Sequence, residues 1–337
     1  MKVVAFDADV LGRQRTGDET HVLNLLRELG PLAHDAGIRI VAMTRHPELV
    51  PEGVEAKVLV ARSQELRMAW SLPRMLRELR ADLSHTQYAL PLRPPCPCVV
   101  TVHDVSFARG ADLMGSKDRA VFRLVVPRAV RAAERVLTVS ERTKADIAEL
   151  YAVAAERIVV TPNGVAPAFS PGSGAHDYVL SVGAIQPRKN QLAALEAAEE
   201  TGLQLVVVGP EKDAALAAQL RDRGARLEGY VPTDRLVELY RGAACLVQSS
   251  RYEGFGLPVL EAMACGTPVV AVPDPALREV AGDAAIIVDE SDLADGIRRA
   301  VAERARLVAA GLARARTFSW RTAAERTLGV YREILET

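Results

Sequence analysis

Short runs rich in β-branched residues alternate with amphipathic stretches along the whole chain. In the first half KVVAF (2–6), IRIVAM (38–43), AKVLV (56–60), CVVTV (98–102), RVLTV (135–139) and RIVV (157–160) read as strands. In the second half DYVLSVG (177–183), LQLVVVG (203–209), ACLVQ (244–248), TPVVAV (267–272) and AAIIV (284–288) do the same. Apolar residues at helical spacing fill several of the intervals, as in ETHVLNLLRELG (19–30). Near-continuous apolar strands separated by helices indicate parallel sheets covered on both faces. Two such sets predict an α/β chain of two doubly wound domains, and 337 residues exceed one ordinary core. Between the sets, TPNGVAPAFSPGSGAHD (161–177) is rich in Pro, Gly and Ser and reads as a linker. SWRTAAERTLGVYREIL (319–335) reads as a last amphipathic helix with Ser319 as its N-cap.

Open α/β sheets bind ligands outside the carboxyl ends of their strands. With two such domains the expected site is a cleft between them, and residues that directly follow strands carry the chemistry. DYVLSVG ends at Gly183 and leads through AIQPRKN into a helix expected to begin near Lys189. Arg188 and Lys189 would then lie at a helix N-terminus, a cradle for a diphosphate; the plainer reading is a solvated basic turn. SRYEGFGLPVLEAMACGTPVV (250–270) delivers Glu253 at a strand end. Gly254 and Gly256 bracket Phe255 and let backbone approach a ligand. Pro258 suits a first helical position and Gly266 a stop, which puts Glu261 in the first turns between them. A carboxylate grips vicinal hydroxyls well, so Glu253 suits a sugar and Glu261 a ribose; a helix acid serving as a cap is the alternative. In CVVTVHDVSF, His103 and Asp104 follow a strand of the first domain. His103 is a candidate sugar ligand or acid/base, and Asp104 either orients the imidazole or caps the turn. Gly12 and Gly17 stand in the loop after the first strand, where backbone amides can meet a phosphate.

Composition narrows the class without deciding it. Half the residues are hydrophobic (49%), a quarter are charged (25%), and the net charge is −1, which gives no footprint for nucleic acid. Residues 62–135 hold 13 basic and 7 acidic side chains, a local excess compatible with an anionic acceptor or a membrane surface. Cys245 and Cys265 sit in apolar runs, and Cys96-Pro97-Cys98 lacks the spacing and the partner cluster of a metal site. All four read as packing residues. No metal ligand set is expected, and no Gly-x-Gly-x-x-Gly follows the first strand as a nicotinamide fold would need. No apolar run is long enough to span a bilayer, and the N-terminus lacks the features of a signal peptide, so a cytoplasmic protein is expected.

Taken together these motifs resemble the retaining GT-B glycosyltransferases of glycosyltransferase family 4, the group 1 transferases. Glu253 and Glu261 with seven residues between them carry the sharpest likeness. GAIQPRKN, VHDVSF, LTVS (137–140), TPNGV (161–165) and GDAAIIVD (282–289) fall in the family's order, in the style of its mannosyltransferase-like subgroup. The resemblance implies two Rossmann-like domains facing a central cleft. They would be an acceptor-side domain at 1–168, a nucleotide-sugar domain at 169–318, and a helix at 319–337 crossing back to the first. It implies metal-independent transfer of a hexose, with GDP-mannose the preferred donor, to a glycan or lipid-linked acceptor, and no cofactor. Arg188 and Lys189 would hold the diphosphate and Glu253 the donor sugar. Glu261 would take the ribose and His103 the sugar near its reacting end. Backbone at Gly17, Gly183, Gly254, Phe255, Gly256 and Leu257 would line the donor, with the base near Val231 in GYVP (229–232). Many members carry Arg after the glycine matching Gly183; this chain has Ala184, which leaves the cationic load to Arg188 and Lys189.

Two rival functions share the architecture: an epimerase acting on the sugar nucleotide itself, and a non-catalytic sugar-nucleotide sensor. The segment RSQELRMAWSLPRMLRELR (62–80) mixes Arg62, Arg67, Arg74, Arg77 and Arg80 with leucines and Trp70. It reads first as a surface helix broken near Pro73 with its leucines in the core. The second reading is a peripheral contact with the inner face of a membrane.

Overall fold

The computed structural model describes residues 1–13, 16–60, 63–110 and 116–336. The described residues up to Gly164, with the last helix Trp320–Leu335, form one compact unit; Val165–Ser319 form the other. The first unit carries a seven-stranded sheet: β1 (Lys2–Asp7), β2 (Ile38–Thr44), β3 (Glu55–Val58), β4 (Leu83–Gln87), β5 (Cys98–Val102), β6 (Arg135–Thr138) and β7 (Ile158–Val160). The second carries six strands: β8 (Tyr178–Val182), β9 (Gln204–Val208), β10 (Arg226–Gly229), β11 (Ala243–Gln248), β12 (Val269–Ala271) and β13 (Ile286–Ile287). The named strands of both sheets pair in parallel. The orders are β3-β2-β1-β4-β5-β6-β7 and β10-β9-β8-β11-β12-β13. The strand order of each sheet therefore reverses once, between β1 and β4 and between β8 and β11. Such a reversal opens a crevice at the carboxyl ends of the two strands.

The apolar runs became strands because both sheet faces are covered, and Val4, Ala5, Phe6, Val99, Val100, Val179, Leu180, Leu246 and Val247 are sealed from solvent. Two strands were not expected. LSHTQ forms β4, with Ser84, His85 and Thr86 fully buried. Burial is tolerated because His85 is bonded on both ring nitrogens, to Tyr331 Oη at 2.5 Å and to Thr101 Oγ1 at 2.7 Å. Tyr331 belongs to the last helix, which packs on the first helix Thr16–Asp35 in the same unit. The other unexpected strand, β10, is an edge strand paired only with β9, so it keeps polar residues such as Arg226 and Glu228.

The stretch 161–177 has no helix or strand, yet it is not a loose linker. Thr161 and Asn163 are buried in the first unit, and Phe169 packs on Tyr240 in the second, with ring centroids 6.0 Å apart. In the 62–80 segment Arg62 lies outside the described residues. The chain is helical from Gln64 to Leu79, with a wider π-type turn at Arg67–Ser71. Pro73 lies inside this continuous run, directly after the π-type turn; the Met68 carbonyl one turn before it accepts from the Leu92 amide at 2.8 Å, and the helix is not broken. Leu72, Met75 and Leu76 join a core cluster with Ala5, Met43 and Leu59, while Trp70 is 75% exposed. No helix among the described residues is long and apolar enough to cross a membrane.

Candidate functional site

In the second unit the crevice between β8 and β11 gathers the expected cations and acid. Gly183 follows β8 with φ +143°, a conformation other residues rarely adopt, and an added Cβ would stand 3.2 Å from Lys189 Cε. Pro187–Lys189 is a single 3-10 turn, and Asn190 at φ +53° separates it from the helix Gln191–Thr201. Arg188 and Lys189 thus precede the α-helix rather than forming its first turn, a correction to the expected helix start near Lys189. Ser249 holds this turn by donating to the carbonyls of Lys189 (3.0 Å) and Asn190 (2.8 Å). A hollow of about 380 Å³ borders its outer side, lined in part by Pro187, Asn190, Asp213 and Arg251.

Glu253 follows β11 and is the hub. Lys189 Nζ donates to its Oε1 at 2.5 Å, and Arg188 Nη1 lies 3.6 Å from its Oε2 while donating to Tyr252 O at 2.8 Å. Gln248 Nε2 reaches Oε1 at 2.6 Å. Burial alone would push this carboxyl up, but Lys189, Arg188 and hydrogen bonds outweigh it and hold it at about 2. The result is a buried carboxylate bracketed by two cations, net positive, with its geometry fixed from β11. Asp274 adds a further hold: its carboxylate accepts from the Glu253 amide (3.3 Å) and caps the helix Pro275–Ala281.

The helix Leu257–Ala264 starts from Gly256, at φ +110°, with Pro258 in its first turn; Gly266 follows its end. The Phe255 side chain is buried against Phe318, centroids 5.9 Å apart. Glu261, inside the helix, is buried and accepts from Tyr240 Oη at 2.8 Å. Burial pushes its carboxyl up to about 7, with the Tyr240 bond opposing. Val231 stands half-buried in the loop after β10, beside Tyr230, which is largely exposed.

In the first unit His103 follows β5 and Gln87 ends β4. His103 Nε2 lies 2.9 Å from Gln87 Oε1. Asp104 accepts from the amide and hydroxyl of Ser106, at 3.0 and 2.8 Å, so it caps the turn. His21, inside ETHVLNLLRELG, was missed as a site residue because it falls at a helix position with no motif around it. Its ring stacks edge-on against His103 (4.5 Å) and Trp320 (5.8 Å), and its Nδ1 is 2.7 Å from Asn163 Oδ1. Burial holds His103 at about 4 and His21 at about 3, so both are neutral at neutral pH. Gly17 lies in the first turn of the helix Thr16–Asp35, and Gly12 in the turn after β1.

Asp7-Ala8-Asp9 at the end of β1 is an Asp-x-Asp pair, a correction to the expectation that no metal-ligand pattern of this kind stands at a strand end. Both carboxylates are engaged by arginines. Arg67 Nη1 is 2.7 Å from Asp7 Oδ1 and 3.0 Å from Asp9 Oδ2; Arg45 Nε is 2.8 Å from Asp9 Oδ1, and Arg13 also pairs with Asp9. Guanidinium groups stand where a cation would, and no metal-binding cluster occurs among the described residues.

Residues 170–314 match the family described as "Glycosyl transferases group 1" and residues 15–169 the one described as "Glycosyltransferase Family 4". The chain is 32% identical over 302 residues to O-antigen chain mannosyltransferase B of Escherichia coli, covering 79% of this chain and 77% of that protein. It is 35% identical over 279 residues to a D-inositol 3-phosphate glycosyltransferase of Acidothermus cellulolyticus, covering 71% of this chain and 62% of that protein. In structure it is similar to sucrose-phosphate synthase of Thermosynechococcus elongatus, with a TM-score of 0.80, 20% identity and full coverage of both chains.

Proposed function

Because this chain belongs to the group 1 glycosyltransferases of glycosyltransferase family 4 and has their GT-B fold, we propose that it moves a hexose, mannose by preference, from a nucleoside diphosphate sugar to an acceptor with retention at the anomeric carbon. The observation that carries this reading is the packing of Lys189 and Arg188 around Glu253 at the carboxyl edge between β8 and β11. When the nucleotide departs, negative charge grows on the β-phosphate and positive charge on the anomeric carbon. Lys189 and Arg188 meet the first, in a site where burial strengthens their field. They supply the charge that a divalent cation would, so the reaction is metal-independent. Glu253 is kept ionised by the same two cations and accepts from donor-sugar hydroxyls. Backbone amides of Phe255, Gly256 and Leu257 add contacts to sugar and phosphate.

Glu261 takes the ribose hydroxyls, and neutral His103 bonds the sugar. A pair of carboxylates flanking the sugar, the arrangement of retaining hydrolases, is not part of this constellation. A front-face substitution follows, in which the leaving phosphate takes the acceptor proton. GDP-mannose is the preferred donor, on the subgroup motifs and on the E. coli relative's name. A thermal-shift panel of GDP, UDP, ADP and their sugars tests the donor; a ligand at one hundred times its Kd adds about 2.7 kcal/mol. GDP and GDP-mannose are expected to give the largest rise, and no rise with any of the diphosphates defeats the reading. Anomeric proton couplings of the product test retention, and turnover without acceptor would point to an epimerase.

A further inference from the structure

The sheet of the first unit reverses between β1 and β4, and both sides of that crevice carry polar groups. Gln87 and His103 stand on the β4–β5 side. On the other side, where β1 and β2 end, Asp7 and Asp9 meet Arg67, Arg45 and Arg13. Asp9 alone accepts from all three: Arg45 spans its two oxygens through Nε (2.8 Å) and Nη2 (3.3 Å), and Arg67 and Arg13 share Oδ2. Among the described residues this cluster holds three guanidinium groups and two carboxylates, an excess of one positive charge. A guanidinium has five N–H donors, and the Nε of both Arg13 and Arg67 is buried without a partner. Arg67 is sealed in, with 9% of its side chain exposed, whereas Arg45 and Arg13 keep 36% and 21% open. The next carboxylate along, Glu19, accepts from the amide of Gly12 at 2.7 Å.

A partly buried cluster with surplus cation is costly unless an anion completes it, and Arg45 and Arg13 are the two members open enough to meet one. Its place at a switch point is where an open sheet receives ligands. We infer that Arg45 and Arg13, with Arg67 beneath them, bind a phosphate group carried by the acceptor. Planar guanidinium donors suit that group, since two N–H bonds of one fork match two phosphate oxygens. The acceptor is thus a phosphate ester, either a soluble polyol phosphate or a lipid whose headgroup carries the phosphate. The inference rests on the glycosyl-transfer reading for calling the ligand an acceptor, but its test reads binding alone.

The test uses the full chain with Arg188→Ala and Lys189→Ala, which removes the donor cradle as a competing phosphate site. Inorganic phosphate and glycerol 1-phosphate are titrated at low ionic strength and followed by amide NMR shifts. Saturable shifts are expected at the ends of β1 and β2. Adding Arg45→Gln is expected to weaken binding about tenfold, and adding Arg13→Gln to abolish it. Arg45→Gln leaves Asp9 paired with Arg67 and Arg13, so a folded variant remains available if the double change unfolds the chain. Vesicles of phosphatidylcholine with and without phosphatidylinositol form the second arm. Competition by glycerol 1-phosphate alone assigns a soluble ester, and capture by phosphatidylinositol vesicles that is lost in Arg45→Gln assigns a lipid. Absence of both, or binding untouched by the arginine changes, overturns the inference. An active transferase with no such site would sink this inference alone; a phosphate site in a chain that transfers no sugar would sink only the reading above.

Discussion

Replacing Glu261 by Gln should stabilise the protein at alkaline pH and slightly destabilise it near pH 4.5. Glu261 is buried, and its carboxyl is raised from the ordinary 4.5 to about 7 by burial, against one hydrogen bond from Tyr240. A carboxyl with a raised folded-state pKa keeps its proton longer in the folded chain than in the unfolded one. Its favourable contribution is complete below pH 4.5 and is lost as the pH climbs to about 7. The span from 4.5 to about 7 corresponds to roughly 3 kcal/mol. Gln cannot ionise, keeps the volume, and its carbonyl still accepts from Tyr240. Its amide N–H₂ lacks an assured partner, which offsets about 1 kcal/mol. The variant should therefore gain about 2 kcal/mol over wild type at pH 8, or about 4–8 °C in Tm for a unit of this size. At pH 4.5 it should be slightly less stable. Calorimetry of both proteins at the two pH values is the assay. A variant that melts at or below wild type at pH 8, or a difference that does not depend on pH, would refute the assignment of a buried, proton-holding carboxyl.

Lys189→Ala should lower kcat by roughly 10²–10³, the loss seen for one transition-state donor, and Arg188→Ala should do similar damage because Ala184 offers no substitute; near-normal rates in both would move the cradle elsewhere. Activity should survive EDTA, since Asp7 and Asp9 are held by arginines; loss with recovery on Mn²⁺ would contradict this. With His103 at about 4 and His21 at about 3, the inflection of kcat/KM expected between about pH 5 and 8 is that of Glu261 near 7, absent in Glu261→Gln; a step near 6.5 that persists in Glu261→Gln would mean one of the histidines is solvated.

The two-unit α/β fold was legible because its strands are buried on both faces and therefore apolar along their length. The strand that sets the switch point of the first sheet was not. β4 reads LSHTQ, and its burial depends on Tyr331, almost 250 positions away, donating to or accepting from His85. Hydrophobic pattern has no access to a polar strand whose partners come from the far end of the chain. The same holds for His21, which matters only because Asn163 and Trp320 fold against it. In the second unit the positions of the motif residues were readable from spacing, since a strand end followed by Gly and Pro forces a turn and a helix start. Gln248 and Asp274, which fix Glu253, were not singled out. Yet Asp274 carries a local signal, an acid before Pro275 at a helix start. The αL conformation of Asn190, which ends the cationic turn and whose carbonyl accepts from Ser249, left no trace in the hydrophobic pattern.

The two glutamates of one motif end in opposite states. Both are buried, so burial pushes both toward protonation. Glu253 follows a strand and meets two cations carried on the turn after β8, and their field brings it down to about 2. Glu261 lies on a helix whose neighbour offers only a phenol, and it stays at about 7. Environments that drive two carboxyls this far apart are how a fold assigns them separate tasks. Under the proposed transfer, the charged one holds its cations in place until a diphosphate shares them. The other, near half-protonated at neutral pH, can donate as well as accept, which suits a diol that does both. The glycines between them let the chain turn from strand to helix within a few residues, so the two environments stand close in sequence.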